Sequence, residues 1–294
     1  MPELPEVETM RRGIESIVGS RLRGVARTAC RRKPILVRPD LPRFRRRTEG
    51  REILAVRRMG KRVVVDLEGG DAIVIEPRMT GLVLVADPPD VNYLRVRFEL
   101  EGSGPEALLF WDRRGLGVVE LLSPAQFSKR FALNRLGPDS LAVTPDVLRE
   151  RLGTSRRAIK VALMDQRALA GIGNLYASEI LHAARISPLR RCDRLKLPEW
   201  AALASACVDV LTAAIRYEGS TLGDGTYRNA LNQAGGYQHQ HRVYSRAGKP
   251  CLTCDKGTVL RLVQAQRSTF FCPVCQPASP QRVGPRRSPS AVAK

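Results

Sequence analysis

Apolar side chains recur at helical spacing over residues 3–18, where Val7, Met10, Ile14 and Ile17 share one face. Pro5 suits the first turn of such a helix, and Gly19 ends it. From about residue 21 to 122 the pattern breaks into short β-branched and aromatic runs, at 63–65, 72–75, 82–85, 95–98 and 107–111. Glycine- and proline-bearing turns at 68–70, 87–89 and 102–105 separate them. No long helical segment intervenes, which predicts an antiparallel sandwich and not a parallel sheet. Around Gly137-Pro138-Asp139 the chain turns helical, and stays so to about Tyr217. A helix is predicted from Ser155 to Leu169, carrying Ile159, Ala162 and Leu163, and another after Pro198 through Trp200, Leu203, Cys207, Val210 and Leu211. Between them, Gly171-Ile172-Gly173-Asn174 forms a turn feeding a helix that Asn174 is placed to cap. Residues 219–242 are rich in Gly, Asn and Gln and read as a mobile loop, and the tail from Gln276 is Pro-, Ser- and Arg-rich and reads as disordered.

Composition narrows the function. The chain has 294 residues, 43% of them hydrophobic, enough for two modest domains and a small module. Forty-nine Lys and Arg against 29 Asp and Glu leave a formal charge of +20, which points to a polyanionic partner. No stretch approaches roughly 18–20 consecutive apolar residues, and no basic-then-apolar leader opens the chain. The expectation is an intracellular, cytoplasmic protein with no membrane attachment. Four of the seven cysteines, Cys251, Cys254, Cys272 and Cys275, form C-x2-C-x17-C-x2-C. Two such knuckles predict one structural zinc held by four thiolates with no open position. His239 and His241 lie upstream, but the cysteines already fill the shell.

The first residues, Met1-Pro2-Glu3-Leu4-Pro5-Glu6, carry candidate chemistry. Removal of Met1 would leave Pro2 as a free secondary amine beside the carboxylate of Glu3. An α-amino group has a pKa of about 7.7–8.0 against about 10.4 for lysine, so much more of it is nucleophilic near neutrality. That suits Schiff-base chemistry at a sugar carbon.

Four motifs in order now resemble a family: the MPELPEVET start, Lys61 leading into the 63–65 strand, the GIGNLYASE turn, and the cysteine module containing Gln266-Arg267-Ser268-Thr269-Phe270. Over about residues 1–276 the chain resembles the formamidopyrimidine-DNA glycosylases. The resemblance implies an α+β multidomain fold. Its parts would be an N-terminal helix and antiparallel β-sandwich (1–135), a helix-two-turn-helix domain with a lesion loop (136–242), a zinc finger (243–276) and a disordered tail (277–294). It further implies a base-excision enzyme, monomeric and nucleoid-associated, acting on damaged bases in double-stranded DNA. Pro2 would be the nucleophile, Glu3 the general acid and base, and Lys61 an active-site phosphate contact. Glu6 would line the lesion pocket. Lys160, Asn174 and Arg267 would hold phosphates, with the amides at the Asn174 helix start helping. Met79 and Arg114 would fill the hole left by an everted nucleotide.

Departures from the family pattern bear on specificity. Leu116 stands where phenylalanine is usual as third filler, Glu76-Pro77-Arg78 replaces a His-Leu pairing, and the zinc loop is one residue longer than usual. Leu4 favours oxidised purines (8-oxoguanine and formamidopyrimidines), followed by β,δ-elimination. An endonuclease VIII-like enzyme for oxidised pyrimidines would tend to begin Met-Pro-Glu-Gly. A non-catalytic zinc-dependent DNA-binding protein would explain the charge but not Pro2-Glu3 with Lys61.

Overall fold

A computed structural model of the chain describes residues 2–132, 134–223 and 225–278. Met1 and all but the first two residues of the predicted tail lie outside them.

The first helix, α1 (Leu4–Gly13), is shorter than its periodicity predicts, because the chain tightens into a single 3-10 turn at Glu15–Ile17. Proline in its first turn and the Glu6 carboxylate accepting from the Glu3 amide at 2.9 Å fix its start. The helix serves two cores. Val7, Met10 and Ile14 are fully buried in the sheet core, while Leu4, also fully buried, belongs to the helical core.

Nine strands form two facing sheets. One has four strands in the order β1 (Arg21–Arg27), β7 (Leu94–Glu101), β8 (Ala107–Asp112), β6 (Gly81–Leu84). The other runs β2 (Leu36–Arg38), β9 (Val118–Leu122), β5 (Ala72–Glu76), β4 (Arg62–Leu67), β3 (Ile53–Met59). All pairings are antiparallel except β2 with β9, which is parallel. That exception, and the helix α2 (Leu41–Thr48) between β2 and β3, depart from an uninterrupted antiparallel run. The α2 sequence, LPRFRRRT, carries one fully buried anchor, Phe44, among four arginines, too little for a periodic signal. Val63-Val64-Val65 is continuously apolar because both faces of β4 are covered. Val63 and Val65 face the sandwich core, and Val64 lies with Phe127 and Phe131 outside. Phe127 belongs to α3 (Pro124–Arg130), which a Ser123–Gln126 capping box starts.

The helical part comprises α4 (Pro145–Leu152), α5 (Ile159–Leu163), α6 (Asn174–Ala183) and α7 (Leu197–Arg216). The helix predicted over 155–169 thus shrinks to five residues. By length and composition α7 could span a bilayer, but Trp200, Leu203, Cys207, Leu211 and Ala214 are buried, and it packs on α4, α6 and α1. Arg58 ties the halves together, donating to Glu8 at 3.0 Å and to Asp139 at 2.6 Å. The described residues of 219–242 are tied into the fold where the sequence predicts a mobile loop. Tyr227 and Ala230 are buried against the sheet core, and Ser220, Thr221 and Asn229 hold the segment by hydrogen bonds. A zinc-finger-like hairpin, β10 (Leu260–Gln264) and β11 (Arg267–Phe271), completes the described chain.

Candidate functional site

The buried Glu3 carboxylate sits at the start of α6, contributed by a part of the chain 170 residues away. It accepts from the amides of Gly173 (2.7 Å), Leu175 (3.0 Å) and Tyr176 (3.4 Å). An anion belongs there, because the first amides of a helix lack internal partners and carry the positive end of its dipole. The amides assigned to a phosphate from the sequence therefore hold Glu3 instead. Gly173, not Asn174, is the N-cap. A Cβ on Gly173 would lie 2.3 Å from the Glu3 Cδ, and one on Gly171 would lie 2.4 Å from Leu4 Cδ1. Gly171 also has φ +112° and accepts from the Leu4 amide at 3.0 Å. The two glycines of the motif thus form the seat of the N-terminus. Pro2, itself buried, lies next to that seat.

Glu6 is 2% exposed and accepts from the Tyr176 hydroxyl at 2.5 Å and from the Ser220 and Glu3 amides at 2.9 Å. Burial pushes its pKa up, and the Glu3 charge adds to this against those hydrogen bonds. It therefore ties α1, α6 and the 219–242 segment together. Lys61 follows Gly60, whose φ of +59° makes the tight β3–β4 turn. Its side chain makes no hydrogen bond or ion pair among the described residues. Burial lowers its pKa, Glu3 and Glu6 raise it, and Arg267 and Arg62 lower it further. The ammonium thus feels both the Glu3 and Glu6 carboxylates without forming an ion pair with either among the described residues.

Lys160 is fully buried. Its ammonium donates to Asn174 Oδ1 (2.6 Å), Thr269 Oγ1 (2.8 Å) and the Ser268 carbonyl (3.1 Å). All three protons are used inside the protein, so in this arrangement Lys160 joins α5, α6 and β11 and does not face solvent. Burial pulls its pKa down to about 8, against the Glu3 charge. Arg267, at the exposed start of β11, points past Met164, with Nη1 at 3.8 Å from the sulfur.

Met79, Arg114 and Leu116 are exposed on two adjacent turns. Asp112, fully buried, organises both: its carboxylate accepts from the Thr80 hydroxyl and from the amides of Arg114 (3.1 Å), Leu116 (2.7 Å) and Gly117 (2.7 Å). Arg95 supports the same turn from below, donating to the carbonyls of Asp112 (2.7 Å) and Lys33 (3.0 Å). Glu76 lies between the guanidiniums of Arg62 (2.9 Å) and Arg78 (2.7 Å), so the carboxylate introduced beside Met79 is neutralised.

The four predicted zinc ligands converge, with all sulfurs within 4.8 Å of one another and two pairs at 3.8 and 3.7 Å. Zinc–sulfur bonds of about 2.3 Å in a tetrahedron set sulfurs about 3.8 Å apart, so the residues fit a single structural zinc. A Cβ on Gly257 would lie 2.6 Å from Cys272 Sγ, which explains the glycine. His182 Nε2 approaches Cys251 Sγ at 3.6 Å, orienting a ligand from outside the shell.

Sequence reasoning missed Tyr176, Asp112 and Glu179. Glu179 is buried and accepts from the amides of Arg242 (2.9 Å), Val243 (3.0 Å) and Tyr244 (2.7 Å), fixing the entry to the cysteine module. The available signal was an acidic or phenolic group on an otherwise apolar helix, as at Tyr176 and Glu179.

Three family models match the chain in order. They describe a formamidopyrimidine-DNA glycosylase N-terminal domain (residues 1–119), a formamidopyrimidine-DNA glycosylase H2TH domain (136–225) and a zinc finger found in FPG and IleRS (248–278). A formamidopyrimidine-DNA glycosylase of Chloroflexus aggregans is 41% identical over 279 residues, covering 94% of this chain and 98% of that protein. The MutM (FPG) structure from Thermus thermophilus superposes with a TM-score of 0.81 at 38% identity, over 95% of this chain and 100% of that one. A Lactococcus lactis FPG mutant in complex with a Fapy-dG containing DNA gives a TM-score of 0.83 at 29% identity, over 94% and 100%.

Proposed function

Because the chain belongs to the formamidopyrimidine-DNA glycosylase family, we propose that its N-terminal amine and Glu3 carry out base excision together in damaged double-stranded DNA. The protein is a base-excision repair glycosylase with abasic-site lyase activity and one structural zinc. Its preferred lesions are oxidised purines, in keeping with the Fapy-dG bound by the Lactococcus relative. The observation that carries the assignment of roles is the Glu3 carboxylate, near the start of the chain, fixed by the amides of Gly173, Leu175 and Tyr176 where α6 begins.

The damaged nucleotide leaves the stack before reaction. The Pro2 nitrogen attacks C1′ as the bond from C1′ to the base breaks; the amine's N–H proton passes to the Glu3 carboxylate, and a proton from solvent goes to the departing base. Glu3 delivers a proton to the ring oxygen as the C1′–O4′ bond opens, which leaves an iminium on Pro2. The iminium acidifies C2′, so loss of that proton expels the 3′ phosphate, and a second elimination expels the 5′ phosphate. Water then hydrolyses the iminium and frees Pro2. Lys61 and Arg267 hold phosphates of the lesion strand, and Asn174, oriented by Lys160, contributes to holding another. Met79, Arg114 and Leu116 occupy the vacated stack, their turns held by Asp112. Filling that void offsets an unstacking cost of a few kcal/mol. Glu6 shapes the lesion pocket by anchoring the 219–242 segment. We place the domain limits at 1–135, 136–242 and 243–276, and the working location at the nucleoid, where the substrate is.

Borohydride trapping tests this reading. Met1-processed protein should give a covalent adduct with an 8-oxoguanine duplex, and more slowly with a thymine glycol duplex. Pro2→Gly should bind the same duplex without trapping. Processed protein that binds but never traps would make it a binding module and not an enzyme.

A further inference from the structure

We propose that a cationic cavity at the seam between the sheet and helical parts is a phosphate subsite that takes the backbone of the DNA flank beyond the lesion. The cavity has a volume of about 470 Å³ and gathers four guanidiniums, from Arg62 on β4, Arg130 at the end of α3, Arg135 on the connecting segment and Arg167 ahead of the Gly171 turn. Phe131 and Leu136 supply its apolar wall.

Two of these cations are already answered. Arg62 pairs with Glu76 at 2.9 Å and stacks over Phe131 at 5.8 Å, and Arg130 meets Glu120 at 3.4 Å. Arg135 and Arg167 are exposed, and among the described residues neither side chain has a hydrogen bond or ion pair. Four positive groups thus line one cavity, and two of them are paired with carboxylates that are not part of its lining. Like charges held together with nothing between them cost stability, and the planar donors of guanidinium match a phosphate in pairs. Nothing in the packing of the fold calls for Arg135 and Arg167 at this spot.

The position favours DNA as the source of that phosphate. Arg62, the first residue of β4, lines the cavity, and Lys61 immediately precedes it in the β3–β4 turn. The Gly60 turn that carries Lys61 leans on the cavity wall: a Cβ there would lie 3.4 Å from Leu136 and 3.3 Å from Ala170. Glu76 then connects Arg62 to Arg78, next to Met79. A line of cations therefore leads from the stack-filling turn, past the start of β4 and the end of β5, into the seam.

The inference rests on the repair reading above, so the test uses a duplex with an abasic analogue at the lesion position. Wild-type protein is titrated with a short duplex covering only the lesion and with duplexes extended on either side. Arg135→Gln/Arg167→Gln should lose roughly tenfold in affinity for one extended duplex at physiological salt, with its salt slope lower by about two. The short duplex and the single-turnover rate at saturation should be unaffected. Arg135→Glu/Arg167→Glu should deepen the loss. Equal affinities and slopes on every duplex would overturn the proposal, as would an equal loss on the short one. Wild-type protein that does not distinguish damaged from intact duplex would instead overturn the repair reading. Inorganic phosphate is titrated without DNA in parallel. Thermal protection beyond that of chloride, absent from the double variant and joined to unchanged DNA binding, would assign the cavity to a free anion and reject the DNA source.

Discussion

Substituting Gly173 by alanine probes the site through one methyl group. The residue has φ −128° and ψ −155°, extended backbone that alanine adopts freely, so any effect comes from contact alone. The new Cβ would stand 2.3 Å from the Glu3 Cδ and 2.5 and 2.7 Å from its oxygens, where ordinary contact begins at 3.4 Å. The carboxylate must retreat by about 1 Å, which breaks or stretches its bonds to the Gly173 and Leu175 amides. Hydrogen bonds to a charged acceptor contribute about 1.5–3 kcal/mol each, so stability should fall by on the order of 3 kcal/mol. A catalytic group misplaced by about 1 Å costs about 100-fold in rate, or about 2.7 kcal/mol of barrier. Single-turnover release of 8-oxoguanine at saturating duplex should slow accordingly. Affinity for an abasic-analogue duplex should stay within about threefold, because phosphate contacts set it. A folded variant with the wild-type rate would refute the role given to Glu3. So would a rate loss fully matched by lost DNA binding.

Lys160→Met should change how stability responds to pH. The wild-type side chain titrates near 8 when folded and near 10.4 when unfolded, so between those values the unfolded chain holds more protons and this group makes stability rise with pH. Urea midpoints measured across that window should rise more steeply for wild type than for the variant, and parallel curves would show that the ammonium is not desolvated. Removing the metal with a chelator should release one zinc per chain and weaken duplex binding by roughly tenfold or more, because the hairpin bearing Arg267 loses its base. Unchanged affinity in the metal-free protein would show that the hairpin stands without it.

What could be read in advance was chemistry encoded at short range. The cysteine knuckles, the periodic face of α1 and the β-branched runs each declare themselves within a few residues. α2 did not, since one phenylalanine among arginines has no period, and its burial depends on strands on either side. The parallel contact of β2 with β9 joins segments about 80 residues apart, and nothing local to either marks it. Asn174 has the composition of a cap, yet a glycine caps α6 because Glu3 needs the space a side chain would fill. Lys160 reads from the sequence as a phosphate contact, and only the approach of α6 and β11 gives its charge three internal acceptors. Asp112 and Glu179 show the same limit, since each serves amides that the sequence cannot place around it.

The docking of Glu3 on a turn 170 positions later has a consequence for biosynthesis. A ribosome finishes the sandwich long before it emits the glycines that enclose the chain's beginning. Until then the leading segment stays open to the aminopeptidase that must clip the initiator methionine. Once α6 emerges, Glu3 docks on it and Pro2 is buried beside that seat; a copy that keeps its initiator lacks the free amine, and would grip DNA without cutting it.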